Sequence, residues 1–380
     1  MLINGERALA YIVTVDELIP LVGYDKVEYA RTNGWWCVVS KTYELKVGDK
    51  CVYFEIDSQV PSDDERFRFL GNKKYKIKAQ RMCKVISQGL LLPLQMFPEI
   101  QSFPVGTDVT KELRIIYATP EDNIRKQGNL NPNSKYQSMK DRHPKIFQNK
   151  YIKRLMKREF GRQLLFFIFG RKKDKPLDFP SFIKKTDEER IENQPWRVND
   201  GKAYIITEKL DGTSCTYVLR RHKRKFEFMV CSRNRRLSLD NSIYWELAKT
   251  YHIEDRLKDF LLAHPDDDWV CIQGEGVGSV QGNPLKLFDN DLYVFNLITS
   301  TNGRYGTLSG KKIIDDMGMK WVPIIGLGST QATMEEIKKF ADGMSYVNPA
   351  CKREGLVYRS LDGSDSFKNV SQEYLLSRKG

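Results

Sequence analysis

Along the first hundred residues the apolar positions come in short runs at close spacing: Ala8–Val13, Trp35–Val39, Cys51–Ile56, Lys76–Lys78 and Gly89–Leu92. Turn-forming clusters separate them, at Asn33-Gly34, Val47-Gly48-Asp49 and Pro61–Asp64. Such spacing predicts a small barrel or sandwich of strands. The run from Val47 to Phe54 reads as a turn feeding a buried strand, a combination frequent in OB-like barrels. Taken alone, this part fits a purely stabilising module as well as a binding one.

The period then changes. From Lys150 to Phe169, Ile152, Met156, Phe160, Leu164 and Ile168 recur at helical spacing, with Leu155 and Phe167 alongside. The opposite face carries Lys153, Arg154, Lys157, Arg158 and Arg162. Beyond residue 181 strand patterns dominate, punctuated by helical ones at Asp240–His252 and Met334–Phe340. The pattern divides the chain into an OB-like barrel (1–115), a connector with an amphipathic helix (116–180) and an α+β domain of mostly antiparallel sheets (181–380).

Charge sharpens this division. The chain of 380 residues has a net charge of +13. Residues 123–175 hold sixteen Lys/Arg against three acids, an excess equal to that of the whole chain. The basic helical face suits a solvated surface, a contact for nucleic-acid phosphates or, less well, a membrane-surface helix, and the five residues 153, 154, 157, 158 and 162 are the candidate RNA-binding set. Seven scattered cysteines without a CxxC suit a reducing compartment and give no zinc site. No signal or transit peptide is apparent, and the longest apolar run, Leu164–Phe169, is far too short to span a bilayer, so an intracellular protein is expected.

Candidate chemistry begins at Glu208-Lys209-Leu210-Asp211-Gly212, between the strand-like runs Ala203–Thr207 and Cys215–Leu219. Lys209 therefore sits at a strand end, beside a turn that Asp211-Gly212 is suited to make. A lysine amine held in a partly desolvated pocket near other cations loses its proton more easily and attacks phosphorus. Lys-x-Asp-Gly alone is a weak signal. Four companions follow in order: Cys231–Asn234 with Arg233, Ile272–Glu275 joined by the aromatic strand Leu292–Leu297, Glu354–Tyr358, and Ser366-Phe367-Lys368.

In this order the elements resemble motifs I, Ia, III, IIIa, IV and V of the covalent nucleotidyltransferases, the superfamily of DNA ligases, RNA ligases and mRNA capping enzymes. Lys184–Asn193, Gly276–Asn283, Trp35-Trp36, Phe54–Ser58 and Ser87–Leu90 are similar to the fifth family of ATP-dependent RNA ligases, with an OB domain ahead of the transferase domain. Only twelve residues follow Lys368, whereas DNA ligases and capping enzymes place an OB domain after motif V. The order favours an RNA ligase.

The resemblance implies an ATP-dependent enzyme that joins 3′-OH and 5′-phosphate RNA ends, with nicked duplex RNA as substrate, through AMP carried on Lys209. It assigns Lys368 to the α-phosphate and Asp211 and Glu354 to a Mg²⁺ or Mn²⁺ site reached through water. Glu275 and Arg233 fall to ribose or phosphate, Phe295 to adenine, Glu208 to base contacts and Gly212 to the nucleotide site. Residue by residue, plainer roles stay open, Phe295 as a core aromatic and Glu275 as a surface carboxylate. Two positions depart from the pattern: Ser366 stands where relatives often have lysine, and Asn296 where aspartate is usual. A monomer is expected, and the competing functions are a capping-type guanylyltransferase, a DNA ligase, and a non-catalytic RNA-binding protein without nucleotide dependence.

Overall fold

The two-residue period at the amino terminus produces Ala10–Thr14 (β1), Glu17–Pro20 (β2), Val27–Thr32 (β3), Trp35–Ser40 (β4), Lys50–Phe54 (β5), Gln80–Met82 (β6), Val85–Ser87 (β7) and Leu90–Pro93 (β8). The computed structural model describes residues 2–3, 6–118, 149, 152, 155, 165, 177–222 and 225–377. The strands pair antiparallel in the orders β8-β5-β1 and β2-β3-β4, with β6-β7 as a hairpin. In β4 the alternation is strict: Trp35, Cys37 and Val39 are buried, while Trp36, Val38 and Ser40 are only partly covered. This is the half-buried strand of a barrel wall. Trp35 stacks on Tyr53 at 5.7 Å inside, and Trp36 stacks on Tyr29 at 4.5 Å outside.

The expected strand at Lys76–Lys78 does not form. Ile77 drops into the barrel core from a loop, and Lys76 keeps a single bridge to Gln59. The Ile77 backbone still bonds to the segment before it, Ile77 O accepting from Asp57 N at 2.8 Å and Ile77 N donating to Ser58 O at 2.9 Å. Strands β2 and β3, with their exposed Pro20 and their charged Glu28 and Arg31, give no apolar run, and pairing places them.

Two sheets make the second part. Tyr204–Lys209 (β9) lies in a small sheet; Thr213–His222 (β10) and Lys225–Cys231 (β11) lie in a large one. Helices Ile243–Thr250 (α1) and Ile253–Ala263 (α2) cover the large sheet, which continues with Trp269–Val277 (β12) and Asp291–Thr299 (β13). Then come Thr307–Asp316 (α3), Ile324–Gly328 (β14), Met334–Phe340 (α4), Gly355–Ser360 (β15), Ser366–Val370 (β16) and Gln372–Ser377 (α5). The large sheet runs β11-β10-β12-β13 at its centre and the small one β14-β9-β15-β16, antiparallel throughout these pairs. The helical pattern at Asp240–His252 resolves into α1 alone, because His252 adopts a left-handed conformation and α2 starts anew behind it. Helix α4 begins as its pattern predicts, with a capping box between Thr333 and Glu336.

The chain divides into two compact units, 1–116 with 178–380, and 117–177. Within the first unit the barrel is fixed to the two-sheet part. Gln372 donates to Gln88 at 2.9 Å, and the Arg190 guanidinium lies 5.8 Å from the Trp35 ring. In the second unit Ile152, Leu155 and Leu165 are helical and Leu165 is buried. Lys153, Arg154, Lys157, Arg158 and Arg162 lie outside the described residues.

Candidate active site

The chain crosses from one sheet to the other at Leu210-Asp211-Gly212, between the last residue of β9 and the first of β10. That crossing is not a turn. Gly212 is required there because a Cβ would lie 2.2 Å from the Gly276 carbonyl oxygen, so only glycine lets the two backbones approach. A cavity of about 310 Å³ opens between the sheets, walled by Lys209, Val357 and Lys368 on one side and by Ser214, Glu275 and Phe295 on the other. Glu208, Gly212 and Arg233 also line it. Side chains separated by up to 160 positions in the chain thus meet in one space.

Lys209 ends β9 opposite Gly355, which brings the preceding Glu354 within reach: Nζ and Oε2 are 2.6 Å apart. Burial pushes the Lys209 ammonium down, but Glu354, Glu275 and Asp211 outweigh it and hold its pKa above the usual lysine value. The neighbouring cation is there, since Lys368 faces the same cavity, but the carboxylates outweigh it and favour the protonated form, against the expected drop in the lysine pKa. Glu275 shows the other half of the arrangement. Burial, partly opposed by Lys209 and reinforced by Glu354 and Asp211, pushes it up to about 8, while its Oε1 accepts from Gly212 N at 3.1 Å. It is a partly buried group facing the cavity and not a surface carboxylate.

Asp211 accepts a hydrogen bond from the Tyr374 hydroxyl of α5. Glu208 is buried; one oxygen accepts from Tyr346 N at 2.9 Å and the other has no hydrogen-bond partner, so burial drives its pKa up. Phe295 is half-covered, packed on the large-sheet core and exposed to the cavity, with the Arg359 guanidinium 5.6 Å from its ring.

Lys368 reaches the cavity from β16, and burial lowers its pKa even though Asp187 opposes the shift. Asp187 lies 3.3 Å from Lys368 and 2.8 Å from Arg233, joining the two cations. Asp187 belongs to the strap 184–190. Lys184 O accepts from Gln273 at 2.9 Å, Thr186 bonds Ser214 at 2.7 Å, and Glu189 O accepts from Lys368 N at 2.8 Å. Glu188 bonds Ser366 and lies 3.5 Å from buried Arg359. Arg359 in turn donates to Asn296 Oδ1 at 2.7 Å, and Asn296 donates to Gln273 at 2.8 Å.

The two departures from the family pattern are thus tied into one polar network under the cavity. Sequence reasoning picked out the 184–193 segment without giving it a role and missed Arg359 and Tyr374 altogether. Arg359 is a charge in the fully buried strand β15, the one signal that pointed to it.

A barrel of OB type joined to two sheets, with a lysine cornered by carboxylates between them, defines the class of polynucleotide ligases. An OB-fold domain matches residues 9–94, and the RNA ligase family matches residues 202–371. Among solved structures, Naegleria gruberi RNA ligase with PPi is 30% identical over 97% of this chain and 98% of that one, with a TM-score of 0.68. A lysine-to-alanine mutant of the same enzyme with ATP and Mn is 29% identical over 97% and 99%, with a TM-score of 0.70. A lysine-to-methionine mutant with AMP and Mn is 30% identical over 98% and 99%, again at 0.70. No curated protein sequence matches. The chain belongs to the RNA ligase family. No helix among the described residues is long and apolar enough to cross a membrane.

Proposed function

We propose that this RNA ligase seals 3′-OH and 5′-phosphate ends in a nicked duplex, acting as a monomer through an AMP carried on Lys209. The observation that carries the reading is Lys209 in the cavity between the sheets, paired with Glu354 and faced by Lys368 from β16. In the first step Lys209 Nζ attacks the α-phosphorus of ATP; the P–N bond forms, the bond to the β-phosphate oxygen breaks, and pyrophosphate leaves. The P–N bond then breaks as an RNA 5′-phosphate oxygen takes the AMP. Finally a 3′-oxygen attacks the 5′-phosphorus and AMP departs.

Each step gathers negative charge at phosphorus, which favours the cations Lys368 and Arg233 as its binders. Glu354 is placed to receive the Lys209 proton before attack. Phe295 offers its face to the adenine, and the unpartnered oxygen of Glu208 offers an acceptor to the base's amino group. Among the described residues no three His, Cys, Asp or Glu side chains cluster to hold a metal by themselves. The oxygens of Glu354 and Asp211 fit a Mg²⁺ or Mn²⁺ that keeps most of its water shell, which suits hard ions bound by one or two carboxylates. Such an ion supplies positive charge beside carboxylates that otherwise hold Lys209 protonated.

The test is incubation with α-labelled ATP and Mn²⁺. The wild type is expected to take acid-stable label and Lys209→Ala none. Equal labelling of the two refutes the mechanism. Salt-sensitive RNA binding without any label would instead favour the non-catalytic reading.

A further inference from the structure

Helix α5 ties the barrel to the nucleophile motif. Its start is fixed by Ser371 and Asp342: Ser371 Oγ donates to Asp342 at 2.6 Å and accepts from Tyr374 N at 3.0 Å, while Glu373 N donates to the same carboxylate oxygen at 3.2 Å. On the barrel side, Gln372 donates to Gln88 at 2.9 Å and Arg81 donates to Leu376 O at 3.4 Å. Gln88 is itself locked, since its carbonyl accepts from Tyr53 at 2.9 Å and from the Cys37 thiol at 3.3 Å. On the other side of the helix the buried Tyr374 delivers its hydroxyl to Asp211 Oδ2.

We propose that Tyr374 is a positioning residue for the ligase reaction: its phenol fixes the Asp211 carboxylate two positions from the nucleophile, and α5 sets that phenol against the barrel. The argument rests on the role given to Asp211 above. The Asp211 backbone lies at the crossing between two sheets, outside both ladders, so its carboxylate rotamer is set by side-chain contacts. A donor from a buried ring, on a helix held at both ends, selects one rotamer. A cation recruited by Asp211 then meets oxygens already oriented. The same linkage gives the barrel a physical route to the lysine site that passes through no RNA.

Tyr374→Phe keeps the ring in its buried place and removes only the donor. Three measurements decide the matter: melting temperature without metal, Mn²⁺ binding to the nucleotide-free protein by electron paramagnetic resonance, and lysine labelling across a Mn²⁺ series. The melting temperature is expected to move by less than about 2 °C, while the Mn²⁺ needed for half-maximal binding and labelling rises roughly tenfold, the usual scale for a hydrogen bond to a charged group. In an Asp211→Ala background Tyr374→Phe is expected to change Mn²⁺ binding by less than about twofold, because the two side chains act as one unit. Gln372→Ala should shift the metal dependence in the same direction by a smaller factor. A wild-type metal response of Tyr374→Phe, or an equal loss with and without Asp211, overturns the proposal. Failure of the lysine mechanism would show differently, as label retained by Lys209→Ala.

Discussion

The carboxylate of Asp187 occupies the two cations that the proposed ATP site would offer to phosphates. It joins Arg233 at 2.8 Å and Lys368 at 3.3 Å, both of which line the cavity. ATP that uses these two cations must first displace it. The size of that competition follows from exposure: the Asp187 side chain is 53% exposed and Arg233 56%, although Lys368 is only 19% exposed. The half-exposed Asp187–Arg233 pair contributes about 0–1 kcal/mol and the less screened Asp187–Lys368 pair about 1 kcal/mol, together about 1–2 kcal/mol. At about 1.4 kcal/mol per factor of ten, Asp187→Asn should lower the ATP concentration for half-maximal lysine labelling roughly 5- to 30-fold. The strap itself should stay in place, because Glu189 O still accepts from Lys368 N at 2.8 Å and Thr186 still meets Ser214 at 2.7 Å. Single-turnover labelling across an ATP series gives the number. Repeating it at high salt should shrink the gain, since half-exposed pairs are screened. An unchanged or raised ATP requirement refutes the reasoning and would make Asp187 a ligand-binding group instead of a competitor.

Two further outcomes are expected. Gly212→Ala places a Cβ 2.2 Å from the Gly276 oxygen and pushes the crossing away from β12 by roughly 1 Å. Circular dichroism should still report a folded protein, while labelling of Lys209 falls by about 100-fold, the scale of a misplacement of that size. Glu275, pushed up to about 8 by burial, holds its proton in the folded state at pH values where an unfolded glutamate has lost it. Its folded pKa lies above the unfolded one, so folding is favoured at low pH and this contribution fades as pH rises from about 4.3 to 8. Glu275→Gln should therefore raise the melting temperature at pH 9 more than at pH 5.5, with metal chelated. An equal shift at both pH values would show that Glu275 titrates normally.

The order of the motifs, and therefore the enzyme class, lay in the sequence. Lys209, Glu354 and Lys368 are read from local pattern, because each stands at a strand end or within a strand whose alternation is visible from its own neighbours. The barrel was legible for the same reason, through the strict in-and-out pattern of Trp35–Ser40. What pattern could not give is the sign of the environment. Lys209 reads as a nucleophilic amine near other cations; folding adds Glu354, Glu275 and Asp211, whose positions in the chain lie up to 145 residues away and whose charges outweigh that of Lys368. Nor does Gly212 announce its task, since the atom it spares, Gly276 O, belongs to another strand. Burial and Coulomb interaction depend on distance in space and not along the chain, so residue types and their order followed from the sequence. The carboxylates around Lys209, the Asp187–Lys368 pair and the Tyr374–Asp211 hydrogen bond were decided only when two sheets and a short helix closed around one cavity.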